Sequence, residues 1–195
     1  MQYGRTSTTS RYVALLAVLT ALYSVYGYTS GIALRNATLS LDLFFLLPVF
    51  FTVLVSLSGR RWSSALFATI IGLLFLYPTA GVPLSPHITL SLIANGIVFD
   101  LFLRESKTSL YELSRKQLVA AGTLGNFAMA VVGLLVFQVF SGSQAWYIWT
   151  VHLLGDPIAG ALGGFFGWIV VERVNGMRTR RLLEAKSAVK SKCSL

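Results

Sequence analysis

The chain has 195 residues, 55% of them hydrophobic and only 12% charged, with a net charge of +9 and a mean hydropathy of +0.70. A soluble domain carries about a quarter charged residues, so this composition excludes one and leaves room for membrane crossings joined by short loops. The basic residues flank apolar runs, where anionic lipid headgroups account for them, and this argues against nucleic acid as a partner.

In chain order the apolar runs cover residues 12–30, 39–58, 62–77, 87–103, 117–140 and 146–172. Each is read as a helix crossing the membrane. The third is short, about 24 Å as a helix, and is expected to be buried among its neighbours or to lie over thinned bilayer. Pro78, Pro83 and Pro86 separate it from the fourth, because proline ends a helix. Pro48 and Pro157 fall inside the second and sixth runs, where freed carbonyls need other partners.

The connectors alternate in charge. Arg5 and Arg11 precede the first run, and Arg60 and Arg61 follow the second. Arg104, Lys107, Arg115 and Lys116 follow the fourth, and seven more basic residues from Arg173 to Lys192 follow the sixth. The connectors at 78–86 and 141–145 have none, and Arg35 is the exception to the pattern. Cytoplasmic loops are enriched in Lys and Arg. The expected fold is therefore an all-α membrane protein, a bundle of six transmembrane helices with both termini cytoplasmic, in a cell (plasma) membrane. Residues 1–183 form one domain and residues 184–195 a basic cytoplasmic tail. The first run is too long for a cleavable signal. Cys193 is the single cysteine, so no disulfide framework and no thiol metal site are expected. Asn36-Ala37-Thr38 is a glycosylation sequon on the expected outer face.

Small residues mark packing faces. Gly155, Ala159, Gly163 and Gly167 repeat every four residues, with Gly160 and Gly164 beside them. Such stripes let helices approach closely, here within the bundle. Ala14, Ala17 and Ala21 form a stripe on the first helix that fits a neighbouring helix or a partner protein.

Intramembrane polar residues are costly and face a cavity or each other. From the helical rise, Asn95, Asn126 and Asp156 lie about 12–15 Å deep on three helices and share a layer near the midplane. Towards the outer side lie His87, Ser91, Gln138, Trp146, Trp149, His152 and Asp42. His87, Ser91 and Asn95 share one face of the fourth helix, and Trp149, His152 and Asp156 one face of the sixth. Together they outline a funnel opening outward, with the aromatic walls and few polar groups of a small-molecule pocket. Simpler readings stand beside this one. His152 and Asp156 could pair to neutralise a buried carboxylate, and the two asparagines could be hydrogen-bond glue between helices. Asp42 and His87 could be wet interface groups, and Asp100 structural or a partner of Arg104.

Six helices with both ends inside, the alanine stripe, and polar groups in helices four to six resemble the substrate-binding S components of energy-coupling-factor (ECF) vitamin transporters. The opening Ala14-Leu-Leu-Ala17-Val-Leu-Thr-Ala21 looks like that family's first helix, whose Ala-x-x-x-Ala motif corresponds to Ala17 and Ala21. The resemblance implies a binding subunit with no catalysis of its own, which captures a vitamin or precursor from outside. It also implies docking of the alanine face on a transmembrane coupling subunit, with two cytoplasmic ATPase subunits driving release. The chain has no Gly-x-x-x-x-Gly-Lys-Ser/Thr phosphate loop, so ATP coupling falls to partners. The short third helix and the basic tail map onto no particular vitamin subgroup. Tryptophan beside a carboxylate and a histidine suits a flat nitrogen heterocycle. No cofactor and no metal are expected. The alternatives are a standalone small-solute transporter or channel, an intramembrane metal-dependent enzyme built on the histidines and carboxylates, and a scaffold.

Overall fold

The computed structural model describes residues 3–33, 41–76, 86–105, 113–142 and 145–192. Expectations resting on Arg35, Asn36, Pro78, Pro83, Lys107 and Cys193, or on side chains beyond Gly176, lie outside the described residues. Among the described residues the backbone forms helices and no strand: α1 (Tyr3–Ala33), α2 (Leu41–Ser58), α3 (Ser63–Leu74), α4 (Pro86–Glu105), α5 (Arg115–Ser141) and α6 (Trp146–Lys192). Five of them are long and apolar enough to cross a membrane. The exception is α3. Its 12 residues reach about 18 Å, against a hydrocarbon layer of about 30 Å. The run expected over 62–77 is thus a short helix, packed chiefly on α4. At the other extreme, α6 has 47 residues and continues as helix to Lys192, into the segment assigned to the tail.

Glycine contacts fix how the helices run. Gly155 lies against Leu41, Gly163 against the Phe45 carbonyl and Gly167 against Thr52, so α6 runs parallel to α2. Gly160 meets Gly122, and Gly164 meets the Leu118 carbonyl, so α6 runs antiparallel to α5. At the Gly122–Gly160 crossing, a Cβ on either residue would overlap the carbonyl oxygen of the other. Close approach of this kind is the main source of packing energy between helices in lipid, where burial from water gives none. The α6 stripe thus serves contacts within the bundle on two sides, one towards α2 and one towards α5.

On the far side of α5 lies α4, which in turn carries α3. Gly96 is pressed against Ala68 and the Ser64 carbonyl, and Thr89 Oγ1 donates to the Gly72 carbonyl at 2.7 Å. The start of α3 needs help. Trp62 precedes it with φ of 65° and offers no side-chain cap, although the first N–H groups of a helix require acceptors. Asp100 of α4 supplies one, its Oδ2 accepting from the Ala65 N–H at 2.8 Å. The sequence leaves Asp100 as structural or as a partner of Arg104. The structure gives it a structural task, capping a neighbouring helix, while the Arg104 side chain lies outside the described residues.

At the edge of the bundle, α1 packs on α2 and α3. Tyr23 is its anchor, buried edge-on against Phe50 and Phe67, with its hydroxyl donating to the Leu43 carbonyl at 3.2 Å. The opposite face, including Val13, Ala14, Ala17, Val18, Ala21 and Leu22, is exposed. The Arg60 guanidinium sits 4.6 Å from the Tyr12 ring centre and donates to Thr9 Oγ1. Arg115, at the start of α5, lies 4.3 Å from the Phe165 ring centre on α6. With the helix directions above, these contacts gather the described basic side chains, Arg11, Arg60, Arg61, Arg115, Lys116 and Arg173, at one end of the bundle, the basic end.

Candidate functional site

The site is built around a proline. Pro48 has no N–H, so the Phe44 carbonyl one turn earlier loses its donor within α2. Asn126 of α5 fills the gap, its Nδ2 donating to Phe44 O at 2.9 Å. The second hydrogen of the same amide goes to the main-chain oxygen of Asp156 on α6, also at 2.9 Å. Asn126 Oδ1 in turn accepts from Asn95 Nδ2 of α4 at 2.8 Å. One side chain therefore ties four helices together.

Both asparagines are fully buried. Asn95 Nδ2 also faces Met129 Sδ at 3.5 Å. Its Oδ1 has no hydrogen-bond partner among the described residues and lies on Gly125, where any Cβ would strike it. That contact is a Cα–H···O approach, weak but suited to the close crossing of α4 and α5. The midplane layer expected from Asn95, Asn126 and Asp156 is present, with one difference. Asp156 joins it through its backbone, and its carboxylate is turned elsewhere.

The Asp156 side chain is held one turn towards the end opposite the basic one. His152 Nδ1 lies 3.2 Å from both carboxylate oxygens. The carboxylate residue keeps 2% of its side chain exposed and the histidine 23%, so the histidine covers the carboxylate. Spacing of four residues on one helix makes this pairing possible, and Phe44 fixes the imidazole from the side at 6.0 Å, edge to face. Trp149, a further turn out, is partly buried.

The α4 stripe turns towards α5. Ser91 is buried, packs against Gly133 and gives its hydroxyl to the Ile88 carbonyl at 2.8 Å. His87 meets Phe137 edge to face at 5.0 Å. The α4 stripe therefore runs along α5, the His152–Asp156 pair lies beside Phe44 of α2, and Asn126 is the side chain that joins them. Gln138 is exposed near the end of α5, and Trp146 is 79% exposed at the start of α6, a placement suited to an aromatic belt. Asp42 accepts from the Tyr26 hydroxyl at 2.9 Å, linking α1 to α2.

Sequence reasoning missed Phe44, Phe137 and the part played by Pro48. A signal existed for Pro48, since a proline inside a span frees the carbonyl four residues earlier. Phe44 and Phe137 had none, because thirteen phenylalanines crowd the chain. Among the described residues, no three His, Cys, Asp or Glu side chains are gathered so as to hold a metal ion. Chemically, the arrangement offers an aromatic-flanked carboxylate above a floor whose amide donors are already committed. Compared with known proteins, the chain matches no family model, no curated protein and no solved structure.

Proposed function

We propose that this protein is a membrane-embedded binding subunit for uptake of a vitamin or vitamin precursor, a nitrogen heterocycle, energised by a separate coupling subunit and two ATPase subunits. The basic end is cytoplasmic in this reading, as the enrichment of Lys and Arg in cytoplasmic loops requires. The observation that carries it is the placement of the His152–Asp156 pair on one side of the buried amide layer. The His152 and Asp156 side chains lie on the outward side of the Asn95–Asn126 layer, and that layer spends its amide donors on acceptors of three helices. A subunit so closed captures solute from one side and needs another component to move it onward. The exposed alanine face of α1, with Ala14, Ala17 and Ala21, is the surface proposed for the coupling subunit.

The test is the thermal stability of the detergent-purified protein against a panel of vitamins and precursors. A ligand that binds only the folded state stabilises it by about 2.7 kcal/mol at a hundredfold excess over its dissociation constant. One ligand should raise the melting temperature and lose its effect in Trp149→Ala. A flat response from well-folded protein refutes the proposal.

A further inference from the structure

The floor and its lid also constrain what kind of ligand the site accepts. Asn126 has both amide hydrogens and its oxygen engaged, and Asn95 has its amide nitrogen directed at Asn126 and Met129. Ser91 gives its hydroxyl to its own helix. None of these groups has a donor left for an incoming anion. The Asp156 carboxylate is different. It has about four lone-pair sites, and His152 is the side chain that engages it. Phe44 stands beside the imidazole, so the approach to the carboxylate is aromatic.

We infer that the ligand presents a positive charge or N–H donors to Asp156 and takes the place of His152 on that carboxylate. This rests on the binding-subunit reading above. A carboxylate in surroundings of low dielectric repels an anion far more strongly than it would in water, so the site rejects acidic vitamins at this depth. Displacing His152 leaves the carboxylate paired, which a buried charge requires. The imidazole is the partner an incoming ligand meets first, because it is the more exposed of the two. It acts as an internal competitor, holding the carboxylate until a better donor arrives.

The experiment uses the full chain in detergent and four probes: thiamine, which is cationic, its neutral aminopyrimidine precursor, and nicotinate and lipoate, which are carboxylates without an N–H donor. Binding is measured by calorimetry for wild type, Asp156→Asn and His152→Ala, with melting curves of the unliganded variants to verify folding. The expected result is binding of a cationic or N–H-donating probe alone. That binding weakens tenfold or more in Asp156→Asn and strengthens in His152→Ala, which removes the competitor. Binding of nicotinate or lipoate, or indifference of the binder to Asp156→Asn, overturns this inference and leaves the binding-subunit reading intact. If Asp156→Asn does not fold, His152→Ala decides, since a tenfold loss there would make the histidine a ligand contact and refute displacement. Failure of every probe to bind folded wild type counts against both readings.

Discussion

If Asn126 serves the carbonyl that Pro48 sets free, the two residues must be energetically coupled although they lie on different helices. Asn126→Leu removes three hydrogen bonds, the donations to Phe44 O and Asp156 O at 2.9 Å and the acceptance from Asn95 at 2.8 Å. Side-chain hydrogen bonds within lipid contribute about 0.6 kcal/mol on average and up to about 1.7 kcal/mol. The single substitution should therefore cost about 2–5 kcal/mol. Pro48→Ala restores an amide at position 48, which bonds to Phe44 O within the helix. It keeps the Cβ that rests 3.2 Å from the Cβ position of Gly122 and 3.3 Å from that of Gly163. In that background one of the three bonds is no longer needed. Asn126→Leu should then cost less by about 0.6–1.7 kcal/mol. The assay is reversible unfolding in mixed micelles for the wild type, both single variants and the double variant. Additivity within about 0.3 kcal/mol would refute the link between the proline and the asparagine.

Other substitutions test the remaining parts of the structure. Gly160→Ala places a methyl group on the Gly122 carbonyl and 2.8 Å from Asn126 Cβ, and should cost about 1–3 kcal/mol in the same unfolding assay. Gly176→Ala is the matched control, with nothing among the described residues within 4 Å of its Cβ; it should be neutral or stabilising by up to about 1 kcal/mol. Equal effects of the two would contradict the close crossing of α5 and α6. Asp100→Ala removes the acceptor for the Ala65 N–H and should cost about 0.5–2 kcal/mol. Hydrogen exchange should quicken first at the start of α3, and unchanged protection there would show that Asp100 is not its cap. Ala17→Trp lies on the exposed face of α1, so stability of the isolated protein should change by less than about 0.5 kcal/mol. Coexpressed with a coupling subunit, the same variant should fail to copurify, and undiminished copurification would remove α1 from the proposed interface.

The reach of the sequence can be judged from particular elements. The capping box at Ser114 and Gln117, which opens α5, is local: Ser114 Oγ accepts from Gln117 N at 3.3 Å, and Gln117 Oε1 accepts from Ser114 N at 2.8 Å. Patterns of this length are visible in the letters. So was the α6 glycine stripe, because small residues four apart share one helix face whatever that face meets. The length of α3 was less clear. A run of apolar residues does not state where a helix starts, and Trp62 in a left-handed conformation with a cap from Asp100 is a tertiary arrangement.

What the chain determines by itself is what depends on neighbours in sequence: which segments are helical and apolar, which face of α6 is smooth, and which connectors carry charge. These follow from a rise of about 1.5 Å per residue and from the cost of exposing polar groups to lipid. The tertiary structure decided how the polar groups share their bonds. Asn95, Asn126 and Asp156 were placed in one layer by counting residues, yet counting could not show that Asp156 enters it through a carbonyl and points its carboxylate at His152. A side chain's partner across helices depends on rotation about each helix axis, and that rotation is set by the Gly122–Gly160 crossing and by the carbonyl that Pro48 leaves open.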